Sequence, residues 1–209
     1  PGIKIDPKKE NAWLEIKQEI MSLDKKSSVN RKTNETEITS TVDLSSDQRI
    51  DIKTGIGFYD HMLEQFAKHS GISVEIKCEG DLHIDEHHTV EDVAITLGDA
   101  LSRALSTKAG IERYGFTLPM DDAKCSVAID LSGRPFFKFD GEFTRESIGG
   151  LPTELIIHFF YTISQHLKAN IHISVIGDDD HHKAEACFKC FGRAFSQAIN
   201  NWTISFSYM

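Results

Sequence analysis

His87-His88-Thr89-Val90-Glu91 and His181-His182-Lys183-Ala184-Glu185 are two copies of one pattern, His-His-x-x-Glu, and each opens a long run with the spacing of an amphipathic helix. After the first copy, Thr89, Val90, Val93, Leu97, Ala100 and Leu101 lay an apolar stripe along a helix predicted from His87 to Leu105, with Gly110 beyond it as a stop. The second copy opens a helix predicted from His181 to Ile199. One head on two helices implies a duplicated chain, so the flanking segments are expected to repeat as well.

Ahead of the first copy, Thr36 to Leu44 and Arg49 to Thr54 read as strands, Gly57 to His69 as a helix and Ile72 to Cys78 as a third strand. Ahead of the second, Lys124 to Leu131 and Phe136 to Phe139 read as strands, Thr153 to His166 as a helix opened by Pro152, and Asn170 to Ile176 as a strand. Each half is thus β-β-α-β-α. His61 and His69 fall on His158 and His166 with an offset of 97; His87, His88, Glu91 and Gly98 fall on His181, His182, Glu185 and Gly192 with an offset of 94. Two halves that each lay helices on one face of a sheet join naturally with the helices as a shared middle layer. The predicted class is α+β, with residues 31–110 as the first half and 111–201 as the second. Residues 1–30 read as a leader, with a short amphipathic helix from Lys8 to Leu23 (Trp13, Ile16, Ile20 and Leu23 at helical spacing) and a polar linker from Asp24 to Asn30. Residues 202–209 form a separate C-terminal tail.

The 209 residues, 40% of them hydrophobic, suffice for a sizeable core, either as one domain or as two fused copies of a smaller one. A net charge of -9 leaves no basic stripe to displace counterions from a phosphate backbone, so a small-molecule partner is expected and nucleic acid is not. No apolar run approaches the roughly 18 residues of a membrane span, and Pro1 to Asn30 is charged throughout, so a cytoplasmic protein is expected. The start at Pro1 suggests a segment of something longer. Cys78, Cys125, Cys187 and Cys190 sit within predicted strands and helices, which favours reduced thiols, with the Cys187-x-x-Cys190 pair turned inward by helical phasing.

The chemistry gathers on histidine. Residues three and four apart share a helix face, so Glu91 can meet His87 or His88, and Glu185 can meet His181 or His182. Neighbours on a helix point about 100° apart, so one histidine of each pair can serve one ion and its neighbour another. His61 and His158 supply a third matched pair. Six imidazoles and two carboxylates without a thiolate suit Mn, Fe, Co, Ni or Zn. Shared equally, each ion receives three histidines and one glutamate, leaving open positions for catalysis. Arg113, Arg134 in Ser132-Gly133-Arg134-Pro135, and Lys189, one turn beyond Glu185, are candidate clamps for an anionic substrate, although each taken alone reads as a surface charge. His69, His83, His166 and His172 are expected to be structural or to support the ligands. Asp178-Asp179-Asp180 is expected to be an exposed loop ending in a helix N-cap.

Gly55-Ile56-Gly57-Phe58-Tyr59-Asp60-His61-Met62-Leu63, Gly80-Asp81-Leu82-His83-Ile84-Asp85-Glu86-His87-His88-Thr89-Val90-Glu91-Asp92, Asp130-Leu131-Ser132-Gly133-Arg134-Pro135 and Asp180-His181-His182-Lys183-Ala184-Glu185 together resemble the imidazoleglycerol-phosphate dehydratases, from about Arg31 to Ile199. Gly115 to Asp121 and Phe191-Gly192-Arg193 look like the bifunctional bacterial form, in which a histidinol-phosphate phosphatase precedes the dehydratase. The resemblance implies helices sandwiched between two four-stranded sheets, trimers assembled into a 24-mer, and two Mn ions per active site at subunit interfaces. It implies His61, His87, His88, Glu91, His158, His181, His182 and Glu185 as metal ligands, and Glu35 as the group that moves a proton from the substrate. It implies Arg113, Arg134 and Lys189 as phosphate contacts. The family's Ser-Ser-Lys-Gly ending, which helps to hold phosphate, has no match in Asn200 to Met209, which read as a divergent, truncated or altered end. The implied reaction removes water from imidazole glycerol phosphate to give imidazole acetol phosphate in histidine biosynthesis. The proton lost has no neighbouring carbonyl, so metals on the imidazole ring are the expected electron sink. A dinuclear hydrolase and a metal-storage module remain open on the ligand inventory alone; turnover of an activated ester, or filled metal shells without a substrate effect, would distinguish them.

Overall fold

The computed structural model describes residues 25–45, 48–106, 108, 111–115 and 119–200; the helix expected over Lys8–Leu23 and the tail at 202–209 lie outside the described residues. In chain order the first half runs β1 (Lys26–Lys32), β2 (Thr36–Asp43), β3 (Ile50–Lys53), α1 (Gly57–Ser70), β4 (Ser73–Gly80) and α2 (His87–Leu105). The second runs β5 (Tyr114–Gly115), β6 (Pro119–Met120), β7 (Ala123–Asp130), β8 (Phe136–Asp140), β9 (Ser147–Ile148), β10 (Leu151–Pro152), α3 (Thr153–Leu167), β11 (Asn170–Ile176) and α4 (Asp180–Ile199).

The first sheet has the order β1-β2-β4-β3 and the second β5-β7-β11-β8, with β6 pairing the same edge of β7 as β5 does. Taken as one broken edge strand, β5 and β6 give the second sheet four lanes. Both sheets then have one topology, with β1, β2, β3 and β4 answering to the broken edge, β7, β8 and β11. In each, the pairing of the last strand is antiparallel on one side and parallel on the other, and the parallel partner is reached through a crossover helix, α1 or α3.

Sequence alternation sets which face is covered. Thr36, Ile38, Ser40 and Val42 on β2 are buried while Glu37 and Thr39 face out, and Ala123, Cys125, Val127 and Ile129 do the same on β7. Helix α2 packs on β2 and α4 on β7, while α1 lies along α4 and α2 along α3, so the four helices make the common middle layer. The matched glycines allow the close crossings, and they do so across the halves. A Cβ on Gly98 would stand 2.7 Å from His166 Cβ and 3.2 Å from the Leu167 nitrogen; one on Gly192 would stand 2.7 Å from the Phe66 carbonyl oxygen and 3.1 Å from His69 Cβ. Each repeated glycine thus meets the repeated histidine of the opposite half.

Each half carries an edge strand that the β-β-α-β-α reading lacks, and a β9-β10 hairpin precedes α3. Strand β1 overlaps the expected linker. Only Val29 on it is buried, so its polar outer edge carries no alternation to read. All four cysteines are outside disulfides; Cys187 and Cys190 turn inward as helical phasing predicts and meet Cys125 of β7 in the α4-β7 seam.

Candidate metal centre

The two His-His heads lie at the N-termini of α2 and α4. In each pair the imidazole planes stand 88° apart, so the neighbours address different directions. His87 Nε2 lies 3.8 Å from Glu91 Oε2, one turn on. Because α2 runs along α3, His158 of the other half arrives at the same carboxylate, with its Nε2 3.5 Å from Glu91 Oε1 and its ring 5.0 Å from that of His87. One donor atom from each of His87, Glu91 and His158 lies within 4.8 Å of the other two. Two imidazoles and a half-exposed carboxylate form an open, hard-to-borderline donor set, which fits a divalent cation such as Mn.

The matched group is arranged differently. His181 Nε2 again lies 3.8 Å from Glu185 Oε2, but the other oxygen of Glu185 is held by Lys189 Nζ at 2.8 Å. The place of Lys189 is taken by Ile95 in the first half, and among the described residues the ion pairs of Glu91 are with His87 and His158. Phe58 sets its ring against His181 at 5.3 Å, and among the described residues His61 joins no three-ligand cluster. One chain therefore brings together three of the eight expected ligands.

The second histidine of each pair is held by an aspartate that sequence reasoning did not assign. His88 Nδ1 lies 3.0 and 3.2 Å from the Asp81 oxygens, and His182 Nδ1 is bonded to Asp122. Asp81 stands seven residues before His88 in a quoted motif, whereas Asp122 is distant in sequence and leaves no local signal. The bond to Asp81, helped by its charge and that of Glu35, raises His88 above the ordinary imidazole range, and the bond to Asp122 does the same for His182. Backbone N–H groups, chiefly that of Asp179, together with His182 bring Asp122 down to about 2.

Glu35 is exposed in the β1-β2 turn, where its carbonyl accepts the Asp81 N–H, so the turn and the first His-His head are tied together. The acidic run at 178–180 departs from the exposed loop expected of it. Asp179 caps α4, accepting the N–H groups of His181 and His182, but Asp180 is buried against Lys183 at 2.5 Å and accepts from the N–H groups of Thr144 and Arg145. Its burial, which would raise it, is outweighed by these contacts, and its carboxyl sits at about 2.

The expected phosphate contacts are each placed by different neighbours. Arg113 grips Asp130 through Nε at 2.5 Å and Nη2 at 3.0 Å, and Arg134 stands exposed in its turn. The Arg113 N–H bonds the Ala198 carbonyl, nine residues beyond Lys189 on α4, a rise of about 14 Å at 1.5 Å per residue.

Residues 54–195 match the family model described as imidazoleglycerol-phosphate dehydratase. The chain belongs to the imidazoleglycerol-phosphate dehydratase family. It is 52% identical over 192 residues to the histidine biosynthesis bifunctional protein HisB of Legionella pneumophila, covering 92% of this chain and 54% of that protein. It is 50% identical over 187 residues to the protein of the same name from Stenotrophomonas maltophilia, covering 90% and 52%. The chain thus spans about half the length of the curated relatives it matches. The crystal structure of the Staphylococcus aureus imidazoleglycerol-phosphate dehydratase aligns with a TM-score of 0.75 at 33% identity, covering 85% of this chain and 99% of that one. That from Pyrococcus furiosus gives 0.71 at 32%, covering 83% and 94%. The imidazoleglycerol-phosphate dehydratase match takes in all eight expected ligands with Arg113, Arg134 and Lys189, and it begins after Glu35.

Proposed function

We propose that this chain dehydrates imidazole glycerol phosphate to imidazole acetol phosphate, a lyase step of histidine biosynthesis, with two Mn ions per active site. The observation that carries the reading is the meeting of His87 and Glu91 with His158 from the opposite half, in a member of this family. His61, His88, His181, His182 and Glu185 complete the proposed ligand set. Bound there, the cations would supply Lewis acidity toward the two nitrogens of the substrate imidazole.

The chain's own residues would do the rest. Glu35, exposed beside the first His-His head, takes the proton from the substrate side chain as general base. Arg113 spends two of its five donors on Asp130, which leaves donors for a phosphate oxygen; Arg134 and Lys189 add two further cations. The roughly 14 Å along α4 between Lys189 and the anchor of Arg113, and the open three-ligand cluster, favour a site assembled from more than one copy of the chain. Such an assembly would be a homo-oligomer with sites at the interfaces, in line with the 24-mer of trimers that the family resemblance implies. Among the described residues no helix is long and apolar enough to cross a membrane, and a cytoplasmic place suits a biosynthetic step.

The test is a pair of variants assayed for bound metal and for turnover of imidazole glycerol phosphate. His158→Ala and Glu91→Ala are expected to lose Mn and turnover together. Full turnover in either variant would overturn the reading.

A further inference from the structure

We propose that Asp81 and Asp122 are positioning residues that do the same task from unrelated places in the duplicated fold: each commits the second histidine of its pair to binding metal through Nε2. The inference rests on the metal reading above and concerns how the ligands are aimed. A carboxylate only accepts hydrogen bonds, so an imidazole nitrogen facing one carries the proton, and the opposite nitrogen keeps its lone pair. His88 turns Nδ1 to both oxygens of Asp81, at 3.0 and 3.2 Å, and His182 turns Nδ1 to Asp122. Nε2 is therefore the donor left on each ring, and the ring cannot rotate without giving up its carboxylate.

The two aspartates are not repeats of one another. With the offset of 97 that relates His61 to His158, Asp81 falls on Asp178, just after the last strand of the second sheet. Asp178 is exposed and its backbone N–H donates to Asp122 at 3.2 Å. Asp122 instead comes from the turn that opens β7, the counterpart of the turn that holds Glu35 between β1 and β2. Both aspartates are themselves anchored. The Asp81 N–H donates to the Glu35 carbonyl at 3.1 Å and its own carbonyl accepts from Ile84 at 2.8 Å; Asp122 Oδ2 accepts the N–H groups of Asp178 and Asp179 at 3.2 and 3.1 Å, leaving Oδ1 for His182. The first half is three residues longer between the start of its last strand and its His-His head, as the offsets of 97 and 94 require, and its aspartate comes from that longer stretch, whereas the aspartate of the second half comes from the β6-β7 turn.

The experiment is a titration of the metal-stripped full chain with Mn2+, following bound metal, for the wild type and for Asp81→Ala, Asp81→Asn, Asp122→Ala and Asp178→Ala. Asp81→Ala and Asp122→Ala are expected to weaken Mn2+ binding about tenfold to a hundredfold, the usual effect of removing a carboxylate behind a ligating imidazole. Asp81→Asn, whose amide oxygen still accepts the Nδ1 proton, is expected to recover most of that loss. Asp178→Ala, the partner that sequence equivalence would nominate, is expected to bind like the wild type. In the metal-free protein at pH 8, ¹⁵N spectra are expected to show His88 and His182 protonated on Nδ1, and each alanine variant to lose that preference at its own histidine only. Unchanged Mn2+ binding in both alanine variants, or loss in Asp178→Ala equal to that in Asp122→Ala, would overturn the inference while leaving the metal reading in place. A wild type that takes up no Mn2+ would overturn the metal reading, and the inference with it.

Discussion

Replacing Gly98 by alanine puts a methyl group into the α2-α3 crossing. Its Cβ would stand 2.7 Å from His166 Cβ and 3.2 Å from the Leu167 nitrogen, where ordinary contact begins at 3.4 Å, so the helices must part by about 0.7 Å, the difference of 3.4 and 2.7. Overpacking of this kind costs about 1–3 kcal/mol, and the better helix propensity of alanine returns about 1 kcal/mol. The blocking atoms are a Cβ and a backbone nitrogen, which cannot swing aside, so the cost falls in the upper part of that range, about 2–3 kcal/mol, and the net loss of about 1–2 kcal/mol corresponds to a fall in Tm of roughly 2–8 °C for a chain of this size. Two turns along the same helices, the crossing sets Glu91 and His87 against His158, so the shift is also read by the metal site. Calorimetry of the metal-stripped protein and Mn2+ titration of the same sample are the assays, and the expectation is a lowered Tm together with weakened Mn2+ binding. Gly192→Ala, with a backbone carbonyl 2.7 Å away, is expected to lower Tm at least as much through α1 and α4. A Gly98→Ala protein with an unchanged or raised Tm would refute the reasoning, because propensity would then outweigh a contact that is not tight.

Glu35→Gln is expected to leave Mn2+ content and substrate binding near those of the wild type while lowering turnover roughly a hundredfold or more; lost binding at unchanged turnover would reassign the residue. Arg134→Ala is expected to raise KM for the phosphorylated substrate roughly tenfold to a hundredfold at normal metal content, and equal weakening of a substrate without phosphate would place the arginine in the fold or the assembly. Asp180, held near 2 and so below the ordinary 3.8 of its carboxyl, contributes stability that is present above about pH 4 and is lost as pH falls toward 2. Urea unfolding between pH 5 and pH 2.5 is expected to show that loss in the wild type and a shallower one in Asp180→Asn, whereas Asp180→Ala, which strands the buried Lys183 cation, is expected to cost about 3–5 kcal/mol at neutral pH.

The sequence revealed what repeats and what alternates. The His-His-x-x-Glu heads, the helix boundary at Leu105 and the strands β2, β7 and β11 follow from period and from matched pairs, because burial on one face imposes that period. Gly98, Gly192, His69 and His166 were visible as repeats, but that each glycine meets the histidine of the other half is a property of helix pairing, which no local pattern encodes. Strand β1 was hidden because an edge strand with Val29 as its one buried residue has no apolar alternation. Asp122 was hidden for a different reason: it reaches His182 by way of a β-turn sixty residues earlier in the chain, and hydrogen bonds of that span leave no spacing to recognise. Lys189 was read as one turn beyond Glu185 and as a clamp for an anionic substrate; that its ammonium pairs with the Glu185 carboxylate, and that the Arg113 backbone is anchored at Ala198 near the far end of α4, required the third dimension.

The most direct measurement is turnover of imidazole glycerol phosphate by the metal-stripped chain as Mn2+ is added back, with metal per chain and particle size recorded in the same samples. The account predicts no turnover without metal, activity that rises in proportion to bound Mn2+ until two ions per site are filled, and growth of the particle as they bind. Full turnover by a chain that holds no metal would contradict it.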